Sequence, residues 1–268
     1  MHMMQPFNEC PAERLTNLLG VLTDIDDTLT TNGRITADAY CALEQIHDAG
    51  LILIPITGRP AGWCDHIARM WPVDAVVGEN GAFWFRYDAR ERRVERRFVA
   101  SDAARKTHRQ NLEAVAARVL REVPRARIAS DQQYRDADLA IDYCEDVERL
   151  TDAEISSVVA IMASHGLTVK VSSIHINGWH GTYDKLTTTL TLLGERFGVM
   201  GSGARDRFAF IGDSPNDQPM FEYFSCSVGV ANVREFAAQI TALPRFVTDA
   251  ACGAGFAEFA KHVVRARK

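Results

Sequence analysis

The 268-residue chain has no C-x-x-C pair, and its six cysteines (Cys10, Cys41, Cys64, Cys144, Cys226, Cys252) are widely scattered. That spacing excludes a zinc knuckle and a thioredoxin-like motif and fits reduced thiols in a cytoplasmic protein. No apolar run approaches the ~18–20 residues of a membrane span. The stretch from Met1 to Gln5 lacks a basic segment followed by an apolar one, so no secretory signal is expected. Positive charge is not in surplus. Lys+Arg number 30 against 35 Asp+Glu, a net charge of −5, which argues against a general nucleic-acid or membrane binder. There is no G-x-x-x-x-G-K-[ST] loop. GSGARD (201–206) lacks a third glycine and a preceding strand, so it reads as a loop and not a dinucleotide site. Internal repeats and low-complexity tracts are also missing.

What is present is an ordinary globular composition, 47% hydrophobic and 24% charged, enough for a sizeable core. Residues 18–25 (LLGVLTDI) are a short apolar run ending in acid and threonine, as a buried parallel strand would. A helix is expected from the N-cap Thr36 to Gly50, then a strand at 51–57 (LILIPIT), a helix opened by Pro60, and a strand at 74–80. This alternation is that of a parallel α/β sheet.

The rhythm changes after Gly81. A hairpin is expected around Ala89, with six arginines between Arg86 and Arg97 interleaved with acids, which reads as a solvated face. Next comes a helix with Leu112, Val115, Ala116, Val119 and Leu120 on one face. DLAIDY reads as a strand. A helix follows from Thr151, with Glu154 in the capping-box position and Ile155, Val158, Val159 and Met162 inward. Two strands, LTVKV and SIHING, complete a unit of about a hundred residues. The parallel pattern then resumes: a helix near Asp184, a strand RFAFIGD, a helix from Asp217, a strand CSVGVA and a terminal helix from Gly253. The expected organisation is a core of residues 1–81 and 182–268, interrupted by an α+β domain of residues 82–181.

Chemistry concentrates at the strand ends, where ligands of open parallel sheets bind. Asp24-Ile25-Asp26-Asp27-Thr28 closes the first strand, and alternation puts Asp24 and Asp26 on one side. Carboxylates this close repel unless a proton or cation holds them, and Mg²⁺ prefers oxygen ligands. Gly212-Asp213-Ser214-Pro215-Asn216-Asp217 ends a later strand. If the two strands are neighbours, Asp213 completes a metal site with Asp217 nearby. Alone, either cluster would read as turn residues. Thr57 and Gly58 in ITGRP can present a hydroxyl and a backbone N–H to an anion beside a helix N-terminus, and Lys185 can neutralise phosphate and carboxylate.

DIDDT, ITGR, a lysine and then GDSPND, in this order, resemble the four motifs of the haloacid dehalogenase (HAD) superfamily of phosphohydrolases. An insertion between the second and third motifs is similar to the type IIB, Cof-like branch, near sucrose-phosphate phosphatase and mannosyl-3-phosphoglycerate phosphatase. VVGENGA and SSIHINGWHGTYDK also resemble that branch, and the likeness covers nearly the whole chain. Two positions depart from the pattern: Asp27 stands where glycine is usual, and Leu186 follows the lysine where glycine is frequent.

The resemblance implies a HAD-like Rossmannoid core with an inserted α+β cap. It also implies a Mg²⁺-dependent phosphatase acting on a small phosphorylated metabolite, a sugar phosphate being favoured. Asp24 would be the nucleophile and Asp26 the acid and base. Asp24, the Asp26 carbonyl and Asp213 would hold Mg²⁺, with Asp217 orienting the lysine or a metal-bound water. Thr57, Gly58, Lys185 and Asn216 would hold the phosphoryl group. Arg59 and His175 are candidate substrate contacts, and Trp179 a linker-anchoring aromatic. The polar run with Ser172, Ser173, His175 and Asn177 is the candidate face for reading hydroxyls. A phosphosugar mutase of the phosphomannomutase type remains open, as does a non-hydrolytic phosphoacceptor module. The latter would not explain Asp26 or the insertion.

Overall fold

The computed structural model describes residues 4–172 and 174–267, so Ser173 of the expected hydroxyl-reading run lies outside the described residues. The chain begins with β1 (Gln5–Pro6), α1 (Ala12–Thr16) and β2 (Gly20–Thr23). A small hairpin of β3 (Thr30–Thr31) and β4 (Arg34–Ile35) leads to α2 (Ala37–Asp48). The Thr36 hydroxyl caps α2 by accepting from the Ala39 N–H, and Gly50 takes a left-handed φ of 73° just beyond its end. Then come β5 (Ile52–Pro55), α3 (Ala61–Met70), β6 (Val76–Gly78), β7 (Phe83–Asp88) and β8 (Arg93–Phe98).

The middle of the chain contains α4 (Asp102–Glu122), β9 (Arg127–Ile128), β10 (Asp138–Asp142), α5 (Asp152–Ser164), β11 (Thr168–Val171) and β12 (His175–Trp179). The last third contains α6 (Lys185–Phe197), α7 (Ser202–Arg207), β13 (Phe208–Gly212), α8 (Gln218–Tyr223), β14 (Cys226–Gly229), β15 (Phe246–Val247) and α9 (Cys252–Ala266). GSGARD, expected as a loop, is therefore mostly the short helix α7. Among the described residues no helix is long and apolar enough to cross a membrane.

Six strands form one parallel sheet in the order β1-β15-β14-β13-β2-β5. Alternation along the strands sends Val21, Leu53, Ala209 and Ile211 to one face, with α2, α3 and α9. Leu22, Ile54, Phe208 and Phe210 go to the other, with α6 and α8. Each such side chain larger than alanine, once fully buried, contributes about 1.5–3 kcal/mol before entropy is counted. This is the doubly covered parallel sheet that the alternating apolar runs predict.

A four-stranded antiparallel sheet, ordered β11-β12-β10-β9, carries α4 and α5 and has its own core of Val115, Val119, Leu139, Ile141, Val158 and Met162. The capping box at Thr151 and Glu154 is present. Leu120, expected on the buried face of α4, is 38% exposed, because the inward stripe runs through Leu112, Val115, Ala116 and Val119.

The arginine-rich hairpin β7–β8, expected to open the insertion, pairs instead with β6. Phe83 and Phe85 are buried in the core on the α2, α3 and α9 face of the parallel sheet. The hairpin's arginines meet acids of core helices, Arg96 with Asp65 at 2.7 Å and Arg97 with Glu195 at 3.9 Å.

Candidate active site

The two acidic motifs meet because β2 and β13 are adjacent, paired from Phe208↔Gly20 to Ile211↔Thr23. Beyond these strand ends, side-chain oxygens of Asp24, Asp213 and Asp217 come within 4.8 Å of one another, all buried. Lys185, the first residue of α6, enters from the side. Its Nζ donates to Asp24 Oδ1 at 2.6 Å and to Asp217 Oδ1 at 2.8 Å. Asp184 caps α6 through the Thr187 N–H, which fixes where the lysine starts. Gly81 permits the approach. A side chain there would collide with the Asp184 carbonyl, and its φ of 105° suits glycine.

Asp217 is held in place by its own loop, its Oδ2 accepting from the N–H groups of Asp213 (3.1 Å) and Ser214 (3.4 Å). Asp213 Oδ1 accepts from the Thr28 hydroxyl at 3.2 Å. Burial pushes the Asp24 carboxyl up to about 8 despite the pull of Lys185. Burial, with Asp24 and Asp217 nearby, also pushes Asp213 well above the usual carboxylate range.

The Asp26 carboxylate is not part of this cluster. Arg59 grips it, with Nε at 2.9 and 3.1 Å from the two oxygens. The same guanidinium reaches into the inserted unit, placing Nη2 at 2.8 Å from Glu145 Oε1 and Nη1 at 3.8 Å from Asp131 Oδ2. Asp27 adopts φ 55°, which explains why glycine would serve there and why aspartate, which tolerates the left-handed region, can replace it.

Thr57 is fully buried at the end of β5, its Oγ1 accepting from the Arg59 N–H at 3.0 Å. Gly58 lies against Asn80, whose Nδ2 is buried without a hydrogen-bond partner. Asn216 Oδ1 accepts from the Ser214 hydroxyl at 2.7 Å. It lines a cavity of about 670 Å³ that also touches Lys170 and Ser172 of the inserted unit.

The hydroxyl-reading strand is largely occupied within its own unit. Asn177 Nδ2 donates to Asp138 Oδ2 at 2.8 Å, and the Ser172 hydroxyl oxygen accepts from the His175 N–H at 3.0 Å. His175 is 3% exposed, with Nε2 at 2.8 Å from Glu145 Oε2. Trp179 is buried and stacks on Tyr183 with ring centroids 5.8 Å apart.

A buried network that sequence reasoning missed docks the inserted unit onto the core. Glu79, in the turn after β6, accepts from the N–H groups of Ala61 on α3 and of Asp136, Ala137 and Asp138 beside β10, at 2.6–3.1 Å. Arg135, its side chain wholly buried, donates to the Gly58 carbonyl at 2.9 Å and pairs with Asp131 and Asp138. The available signal was a charged residue directly after the apolar strand run VVG.

The sequence profile of the haloacid dehalogenase-like hydrolases matches residues 21–120. A phosphoglycolate phosphatase of Methanothrix thermoacetophila is 26% identical over 243 residues, covering 91% of this chain and 96% of the relative. A crystal structure from Thermoplasma acidophilum superposes with a TM-score of 0.70 at 20% identity, covering 92% of this chain and 98% of that one. The sucrose-phosphatase of Synechocystis, solved with sucrose and phosphate, gives 0.64 at 14% identity, covering 91% and 97%. The chain is thus similar to the haloacid dehalogenase-like hydrolases over residues 21–120 and to a phosphatase over nearly its whole length.

Proposed function

We propose that the chain hydrolyses a small phosphorylated metabolite, with a sugar phosphate favoured, through an aspartyl-phosphate on Asp24. One observation carries this reading. Asp24 sits just beyond the C-terminal end of β2 with Lys185 at 2.6 Å, and a second acid, Asp26, stands two residues further on, held by Arg59 at 2.9 Å. Asp24 Oδ attacks phosphorus as the bond to the ester oxygen breaks, and Asp26 gives that oxygen its proton. Asp26 then takes a proton from water, whose oxygen attacks phosphorus. Phosphate leaves and the Asp24 carboxylate is restored. Lys185, with Thr57, the Gly58 N–H and Asn216, would hold phosphoryl oxygens as charge spreads over them.

The donor set fits a hard divalent cation. Asp213 has no basic partner among the described residues, and Lys185 is the one ammonium against three buried carboxylates. Asp24 and Asp213, with the Asp26 carbonyl, would hold Mg²⁺. Asp217, engaged by Lys185 and two backbone N–H groups, would serve as their outer support. When bound, Mg²⁺ supplies charge neutralisation to the phosphoryl group and its nucleophile. Arg59 orients the Asp26 carboxylate, and the inserted unit over the strand ends limits water and large substrates.

The test is release of inorganic phosphate from a panel of phosphorylated metabolites with Mg²⁺, with Asp24→Asn as control. Multiple turnovers by the wild type and none by the variant are expected. A single phosphorylation without release would favour a phosphoacceptor. Conversion to an isomeric sugar phosphate would favour a mutase.

A further inference from the structure

The face expected to recognise the substrate, on β12, is closed in on itself, so the group leaving from phosphate needs another seat. A cavity of about 610 Å³ opens beside Asp26, within the range of small-molecule sites. Its walls come from three places: Ile35 of the β3–β4 hairpin, Trp63 and Trp71 on and just after α3, and Tyr134 of the inserted unit. Trp63 is 44% exposed and Tyr134 51% exposed, unusual for neighbouring aromatics on a cavity wall unless something covers them. Gly62 lets the two come together, since a Cβ there would stand 3.0 Å from Tyr134 Cβ. The Arg59 guanidinium lies over the Trp63 ring at 4.6 Å while holding Asp26. The aromatic wall and the proposed acid are thus joined through one side chain.

Resting on the phosphatase reading above, we infer that this cavity seats the leaving group, and that the preferred substrate is a phosphate ester of a ring-bearing alcohol whose apolar face lies against Trp63 and Tyr134. The direction of proton transfer selects this cavity. The leaving oxygen must be next to Asp26, and Asp26 lines this wall, whereas the cavity beside Asn216 is lined by Ser214, Pro215 and Asn216 without it. The wall is mostly carbon, so it rewards a ring face and offers little to a short acyclic acid. Tyr134 belongs to the inserted unit and Trp63 to the core, so the seat is complete only when the two are docked.

The experiment compares kcat/KM for phenyl phosphate with that for phosphoglycolate in wild type, Trp63→Ala, Trp63→Phe and Tyr134→Ala, alongside tryptophan fluorescence titrated with phenyl phosphate. The expected result is a preference for the ring ester. The ratio should fall about tenfold in either alanine variant, through KM, and be largely retained in Trp63→Phe. Equal ratios in all four proteins, or a wild type that prefers phosphoglycolate, overturn the ring seat and leave the phosphatase reading standing. Saturable quenching that disappears in Trp63→Phe, without phosphate release from any ester, upholds the seat and overturns the phosphatase reading. Absence of both quenching and turnover overturns the two together.

Discussion

Arg59 of the core and Glu145 of the inserted unit stand 2.8 Å apart, and the same guanidinium holds Asp26. Burial would raise the Glu145 carboxyl, but His175 and Arg59 outweigh it and hold it at about 2, below the 4.5 of a free glutamate. A depressed carboxyl stabilises the folded state above its unfolded value, and that contribution is lost as pH falls toward the folded one. Docking should therefore weaken as pH drops below about 4.5 toward 2. With the group partly open to solvent, the loss is about 1–2 kcal/mol. Thermal unfolding of wild type and Glu145→Gln across this window checks it. The variant should be less stable at neutral pH and should show the flatter dependence.

Lys185 is the only basic partner of Asp24 and Asp217 among the described residues. Replacing it with methionine keeps the apolar stem but leaves two buried carboxylates unpaired, at a cost of about 3–5 kcal/mol. Urea unfolding gives the stability loss, and phosphate release should be abolished. A variant as stable as wild type would show that the lysine does not balance these acids.

Chelation provides the third check. Excess EDTA should stop turnover, and added Mg²⁺ should restore it. Asp213→Asn should raise the Mg²⁺ concentration for half-maximal activity about tenfold or more. Undiminished activity in chelator would remove the cation from the site.

Glu79→Gln substitutes an –NH₂ for one oxygen of a carboxylate that accepts four backbone N–H groups. The amide nitrogen would face donors and no acceptor, a loss of about 2–4 kcal/mol. Hydrogen exchange should speed up at Asp136, Ala137 and Asp138 before it does in the parallel sheet. Unchanged exchange there would mean the inserted unit is docked by other contacts.

The parallel sheet was legible because its strands are short apolar runs ending in Asp, Thr or Gly, a local pattern that burial on both faces imposes. Lys185 and Asp213 were legible as candidates because each sits next to a strand or helix end. Their meeting with Asp24 depends on β13 lying beside β2, which no local pattern states. Strand spacing does not tell which sheet a strand joins, so it does not separate the hairpin β7–β8 from the insertion. Phe83 and Phe85 decide that by packing. Glu145, Arg135 and Glu79 were missed because a charged residue in a sequence looks solvated until a distant partner is known. Nothing in the sequence singles out Trp63, and its exposure beside Asp26 is what distinguishes it.

The adjacency of β2 and β13 also bears on the order in which the molecule is made. Strand β2 has β5 as an early neighbour, but its other edge stays open until residues 208–212 arrive. Pairings this far apart in sequence close slowly. The inserted unit, with a core drawn from residues 112–176, can collapse while that edge is still bare. During synthesis the chain therefore passes through a stage with a collapsed inserted unit and only β2 and β5 of the six-stranded sheet paired. Asp24 is then exposed to water without Lys185 or Asp213, and the buried cluster around it is assembled only with the last third of the polypeptide.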